Sequence, residues 1–301
     1  MSKNVSLPIH LARKSQAGVL SWLRWARLAW KNPLASLGLF FVILQISTAF
    51  LAPVISPYDP YEQYYDHIME APSQRYFFGT DNFGRDLFSR VIWGAQISLK
   101  VGIVAISIGT GLGTILGLIS GYFGGKLDLI LQRVMDGWMA FPSIILALVI
   151  IAVLGTGELN VMIAIGISQV PPANRIVRGA VLSEKSSLYV EAARAISSSE
   201  LRIMTRHILP NVTAPIIVVA TIALGQAILA EAALSFLGVG IQPPTPAWGS
   251  MLSGHSRTYM LVAPWMAIFP GLAIFLAVMG WNLLGDALRD IWDPRLRTSR
   301  R

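Results

Sequence analysis

Six long apolar runs constrain this chain more than any other feature. They lie at roughly Leu34 to Ile55, Leu99 to Ser120, Leu129 to Leu154, Leu159 to Val177, Pro215 to Leu237 and Pro264 to Leu284. About twenty residues of helix cross the hydrocarbon of a bilayer. Inside lipid every backbone amide must be bonded within the protein, so each run is expected to be a helix. The expected fold class is all-α, a polytopic membrane protein with six transmembrane helices. Composition agrees, because 54% of the 301 residues are hydrophobic and only 13% are charged. Apolar surface left in water costs roughly 25 cal/mol per Å², too much for a soluble domain of this makeup. With no cysteine, a disulfide framework, a thiolate metal site and a cysteine nucleophile are all excluded. His10, His67, His207 and His255 are scattered, and no metal site is expected.

The net charge of +8 raises nucleic acid as a partner, but its distribution argues for topology instead. Lysine and arginine are retained on the cytoplasmic side of a membrane. Ahead of the first run stand Lys3, Arg13, Lys14, Arg24, Arg27 and Lys31 with no acid among them, so this end is expected to be cytoplasmic. Six crossings return the tail, with Arg289, Arg295, Arg297, Arg300 and Arg301, to the same side. The segment between the fourth and fifth runs carries Arg178, Lys185, Arg194, Arg202 and Arg206 and is also read as cytoplasmic. Acids dominate the segment from Ser56 to Ile97, which belongs outside. A nucleic-acid partner therefore has little support.

Ahead of Lys31 there is no apolar core of a cleavable signal. Val19, Trp22, Leu23, Ala26 and Trp30 share one helical face and Arg24, Arg27 and Lys31 another, which fits a helix lying in the membrane interface; an unstructured basic leader is the alternative. Gly109, Gly113, Gly117 and Gly121 recur every four residues and put a groove down one face, suited to close helix packing. Pro142, Pro171, Pro172 and Pro270 interrupt other runs. Glu231 is the clearest ionisable group within a span, placed near its outer end, where it either serves function or meets water or a packing partner. Gln45, Gln169, Asn174, Gln226 and Asn282 are candidates to line an aqueous path or to bond between helices. In the outer segment, Tyr58, Tyr61, Tyr64 and Tyr65 either contact a partner or anchor a structural loop, and Thr80 or Asp81 is expected to cap a short helix near Phe83.

The polar insert from Tyr189 to Asn211 stands apart from the apolar runs. Leu188, Ala192, Ala195 and Ile196 form an apolar strip at helical spacing, and Ala192 with Ala193 keep that helix thin. Ser197 and Glu200 have capping-box spacing, which predicts a second helix from Ser198 with Leu201, Met204 and Ile208 on an apolar face and Arg202 and Arg206 on a basic one. Two short amphipathic helices with a bend suit docking on a partner, and periodicity alone leaves a plain surface loop equally open.

At these residues the chain resembles a known family. Glu191-Ala192-Ala193 followed by Ile208-Leu209-Pro210 is similar to the EAA loop of permease subunits in bacterial ABC importers. The form resembles the C-type, second permease of the dipeptide, oligopeptide, nickel and glutathione group. Gly79-Thr80-Asp81-Asn82-Phe83-Gly84-Arg85-Asp86, Ala140-Phe141-Pro142-Ser143, Glu231 to Gly238, Gln242 to Gly249 and Leu284 to Asp290 with Asp293-Pro294-Arg295 resemble further motifs of that group in the same order. One departure is Ser197, where the family usually has glycine; as an N-cap, Ser197 is expected to keep strand-like angles.

The resemblance implies a type I importer-like transmembrane domain. It divides the chain into a cytoplasmic segment over 1–33, a first helix and outer loop over 34–97, a core permease domain over 98–284 with the coupling loop at 178–211, and a cytoplasmic tail over 285–301. It implies a homologous second permease forming a heterodimer, two cytoplasmic ATPase subunits, an extracytoplasmic substrate-binding protein, and a place in the bacterial inner membrane. Tyr189, Glu191, Ala192, Ala193, Arg194, Ser197, Leu201, Arg206, Leu209 and Pro210 would couple to the ATPase. The chain has no phosphate-binding P-loop of its own, since Leu127 follows Gly125-Lys126 and Ser120 stands where a glycine is needed, so ATP and Mg²⁺ are expected in the ATPase subunits and no cofactor here. It is read as a non-enzymatic permease for di- or oligopeptides, with nickel complexes, glutathione or oligosaccharides as alternative cargo. An ion-coupled secondary transporter would need carboxylates deep in the bilayer, and only Glu231 is available.

Overall fold

The computed structural model describes residues 33–253, 258–259 and 261–292. The interfacial helix expected before Lys31 and the basic tail beyond residue 292 lie outside them. α1 spans Pro33–Ile55, α2 Leu87–Phe123, α3 Gly125–Met139, α4 Ser143–Leu154, α5 Glu158–Ser168 and α6 Val170–Lys185. The insert contributes α7 Leu188–Ala195 and α8 Glu200–Arg202, then a π-helical turn Ile203–Ile208 and a last turn Leu209–Asn211. α9 spans Thr213–Phe236, α10 Trp248–Met251 and α11 Trp265–Trp292. No strand is formed among the described residues, in keeping with the all-α reading.

The six expected spans are not six separate long helices. Among the described residues, four helices are long and apolar enough to cross a membrane, and a fifth span arises if α3 and α4, bent by 89°, are taken together. That bend falls at Phe141-Pro142, where proline has no amide to continue the ladder. The run read as Leu159 to Val177 is instead α5 joined to α6 across Gln169, and the polar residues of α6 keep it from qualifying by hydropathy. The second span also begins earlier than Leu99. Asp86 caps α2 by accepting the Ser89 amide at 2.7 Å, and the helix runs 37 residues, about 55 Å at 1.5 Å per residue. Arg90 makes this stretch look like a loop in sequence, yet its side chain is buried in protein rather than exposed to lipid. At the other end, α11 continues through Trp292, so residues 285–292 are helix rather than tail.

The glycine groove of α2 is filled by the α5–α6 pair. A Cβ on Gly109 would stand 2.7 Å from Gln169 Cβ, on Gly113 2.6 Å from Ala173 Cβ, on Gly117 2.9 Å from Val177 Cβ, and on Gly121 2.9 Å from Val181 Cβ. Any side chain at these positions would overlap its neighbour, so glycine permits the close approach whose dispersion contacts hold helices together where lipid supplies no hydrophobic drive. Around the middle of α2, Val101, Ala105, Val161, Ile165, Ala227 and Ile228 make the central core with α5 and α9. α1 packs on α11, and Trp281 Nε1 donates to Gln45 Oε1 at 2.8 Å, so Gln45 bonds between helices.

Candidate coupling surface

The insert sits at the C-terminal end of α2, clamped there by an apolar inner face. Val190 and Ala193 of α7 point inward with Ile203, Ile208 and Val212, and meet Leu118 and Tyr122 of α2 and Val177 and Val181 of α6. The other face of α7 is bare: Leu188, Glu191, Ala192, Ala195 and Ile196 are exposed, Leu188 by 82% and Ile196 by 77%. Sequence spacing grouped Ala192 with Ala193 as two faces of one thin helix, but the structure assigns them opposite duties. Ala193 packs, and Ala192 is presented.

Polar contacts fasten the clamp. The Tyr122 hydroxyl bonds the Glu200 carboxylate, and the Tyr189 hydroxyl donates to Glu184 Oε2 at 2.6 Å. Burial and that carboxylate push the Tyr189 phenol up to about 12, so it stays a donor across the physiological range. Arg194 lies over the Tyr122 ring at 5.6 Å from its centroid, and hydrogen bonding to that hydroxyl raises its already high pKa further. Glu200 therefore does not reach back to close a capping box. The second helix starts at Glu200 rather than Ser198, with Ser199 in the extended N-cap position.

Ser197 overturns its expected geometry. Its φ is +56°, in the left-handed region, and not the strand-like value of an N-cap. The Ser197 amide bonds Arg194 O at 2.9 Å and the Ser198 amide bonds Ala193 O at 3.1 Å, which is the Schellman closure of α7. Serine here adopts the conformation for which glycine is the usual choice. Beyond it, Pro210 cannot donate to the carbonyl four residues back, and the chain relieves this with the π turn Ile203–Ile208. The wider turn rotates the expected apolar face: Ile203 and Ile208 are buried, Met204 and Leu209 are partly covered, and Leu201, Arg206 and Pro210 are exposed.

A polar network just behind the insert escaped sequence reading. Arg178 of α6 grips Asp128 of α3 with two bonds, Nε to Oδ1 and Nη2 to Oδ2, each 2.6 Å. Ser120 of α2 also bonds Asp128, and Gln132 Nε2 donates to Ser120 Oγ at 2.9 Å and Asn174 Oδ1 at 3.1 Å. Asn174 is fully buried in this network and so does not line an open path. Gln169 is half-buried at the α5–α6 joint. Gln226 alone of these candidates is exposed on a span, along the uncovered face of α9 with Leu229 and Phe236. Glu231, left open between a functional role, water and a packing partner, is completely buried, and Ser235 Oγ donates to its Oε1 at 2.7 Å.

The outer loop over residues 56–86 is a folded unit. Tyr76 is fully buried among Tyr58, Tyr64 and His67, with ring centroids at 5.2, 6.3 and 5.5 Å. Tyr58 and Tyr64 thus anchor the loop, and Tyr61 and Tyr65 are exposed. No helix forms at Phe83. Asp81 Oδ1 instead takes the Phe83 and Arg85 amides at 2.8 and 3.0 Å, holding a tight turn.

Two family models match the chain. One, the binding-protein-dependent transport system inner membrane component, covers residues 113–298, which include the clamp and the insert. The chain belongs to this family. The second match, the N-terminal TM domain of oligopeptide transport permease C, covers residues 22–72. Among similar proteins is a glutathione transport system permease protein GsiD of Pectobacterium atrosepticum, 44% identical over 91% of each chain. Its counterpart in Escherichia coli is 46% identical over 92% of this chain and 90% of its own. The chain is thus a multi-pass permease subunit of an ABC importer in the inner membrane, a transport component that works with an ATPase and a binding protein.

Proposed function

We propose that this permease pairs with a homologous second permease, rests on two cytoplasmic ATPase subunits through its insert, and imports short peptides delivered by an extracytoplasmic binding protein. The observation that carries the proposal is the two-sided α7: Val190 and Ala193 lock it to α2 and α6, and Leu188, Glu191, Ala192 and Ile196 face outward with nothing on them. Exposed apolar side chains rimmed by charge on an anchored helix suit a cleft in a partner. α7 follows α6 and precedes α9, so a displacement of α7 by closing ATPases is passed to both. Nucleotide binding then shifts the pore through its differential affinity for two arrangements. ATP and Mg²⁺ belong to the ATPases, and the basic ends of the chain, with the insert, lie in the cytoplasm. Gln226, polar and exposed on α9, faces the shared pore or the second permease, since an amide has no partner in lipid.

Glutathione, a tripeptide, is the first cargo to test, because the similar permeases carry it in their names. Glu191→Lys is expected to cut ATP-driven uptake of labelled glutathione by more than tenfold, with the permease still in the membrane and the ATPases lost on purification. Normal uptake by this variant would refute the docking role. Uptake of dipeptides but not glutathione by the wild-type importer would correct the cargo alone.

A further inference from the structure

A cavity of about 150 Å³ opens at the start of α2, some 37 residues of helix away from the insert, between the Asp81 turn and the segment following α9. Asp81, Arg85, Arg90, Pro243, Ser250 and Ser253 are among its lining residues. Two guanidinium groups meet one carboxylate there. Asp81 is already engaged: Oδ1 accepts two backbone amides and Oδ2 accepts Arg85 Nε at 2.7 Å. Asp86, four residues before Arg90, is not among the lining residues; its Oδ2 accepts the Ser89 amide, and its buried Oδ1 is bonded to neither arginine.

Arg90 is therefore under-supplied. It is only 3% exposed, and Nη1 donates to the carbonyls of Pro60 and Pro244 at 2.7 and 3.3 Å. Its Nε has no hydrogen-bond partner, and the closest carboxylate oxygen, Asp81 Oδ2, stands 3.6 Å away and already serves Arg85. A buried guanidinium with an idle donor is costly unless something negative completes it. The planar fork of arginine can hold a carboxylate with two parallel hydrogen bonds. We infer that this cavity is a binding site for one carboxylate group, held by Arg90 with Arg85 beside it. The inference does not depend on the cargo proposed above.

The test uses the assembled importer in lipid nanodiscs and sodium [1-¹³C]acetate as probe, followed by line broadening of the carboxylate signal against chloride at equal ionic strength. Saturable broadening is expected in the wild type. Arg90→Lys, which keeps charge but loses the fork, should weaken it about tenfold. Asp81→Asn should tighten it severalfold, because the internal competitor is gone; a purely structural role for the trio gives no such gain. No saturable broadening in the wild type overturns the site, as does equal broadening in all three proteins, which would mark an adventitious additive only. Should the variants fail to assemble, the wild-type titration decides by itself. Two competitors identify the source of the carboxylate. Displacement of acetate by glutathione without binding protein supports a small-molecule acid, and displacement only on adding substrate-free binding protein supports an acidic side chain of that partner. Uptake measured on the same preparation tests the importer reading separately.

Discussion

The two ends of α2 solve the same problem in opposite ways. At its start, Asp59, Glu62, Asp66 and Arg75 of the loop stay exposed, but Asp81, Arg85, Asp86 and Arg90 at the entry to the helix are all less than 8% exposed and bond one another or nearby backbone. At its far end, the insert leaves Glu191, Arg194, Arg202 and Arg206 in the open and holds on by a patch of small apolar side chains. Both segments look charged and irregular in sequence. What separates them is where the bonds go: inward to backbone in the loop, and nowhere within this chain for the outer face of α7. The first is held from within, and the second, on the proposed reading, is completed by another protein.

Breaking the rigid end should have the larger effect. Tyr76→Ala removes the ring on which Tyr58, Tyr64 and His67 pack and is expected to cost about 3–5 kcal/mol. A fall in the thermal stability of the purified assembly, with the insert keeping its protease resistance, would show that the loop is a separate packing unit. The next largest effect separates the two faces of α7. Ala193→Arg drives a long cation into the apolar clamp and is expected to cost several kcal/mol, making the insert protease-sensitive. Ala192→Arg should leave the insert protease-resistant and lose the ATPases on purification. Identical behaviour of the two variants would mean that the insert has no inner and outer face in the working importer.

Much of this division was legible in the sequence, and the parts that were not share a cause. The apolar runs and their proline interruptions foretell helices, and the strip Leu188, Ala192, Ala195, Ile196 emerges on one exposed face because local spacing decides it. Partners distant in sequence are invisible to that reasoning. Glu200 was assigned to Ser197 by a three-residue rule, yet its carboxylate goes to Tyr122, which no local pattern links to it. Asn174 could line a path or bond between helices as far as the sequence goes, and the Gln132 amide bonded to it belongs to the second reading; the Asp128–Arg178 pair likewise joins helices fifty residues apart in sequence. Leu201 was grouped with Met204 and Ile208 on one face because a regular α-helix was assumed, and the π turn ahead of Pro210 leaves Leu201 exposed while Ile208 is buried. Arg90 hid the first turns of α2 because a buried arginine reads as a loop residue.

A smaller test compares how the two ends are terminated. Asp86 is the N-cap of α2, and burial raises its pKa although the Ser89 hydrogen bonds pull the other way. A buried carboxylate retained as a cap should cost about 1 kcal/mol when removed. Asp86→Asn keeps an acceptor for the Ser89 amide without the buried charge, so it should lose less than Asp86→Ala in thermal unfolding. Equal losses would assign the role of Asp86 to its charge rather than to capping.

The smallest effect is expected at Ser197, and it bears most directly on what the insert is. An L-residue in the left-handed region costs about 1–2 kcal/mol relative to its preferred angles. Ser197→Gly removes that strain, and glycine's greater freedom in the unfolded chain takes back about 0.5–1 kcal/mol. The net gain should therefore lie between about 0 and 1.5 kcal/mol. Ser197→Val, β-branched at the same φ, should lose stability by a similar or larger amount. Because the Schellman bonds from Ser197 and Ser198 to Arg194 and Ala193 use only backbone atoms, they are available to glycine as they stand. Uptake by the glycine variant should equal that of the wild type. A glycine variant that hydrolyses ATP normally but transports poorly would show that the serine hydroxyl, exposed at the bend, touches the ATPase itself; equal uptake leaves backbone shape as all that this position supplies.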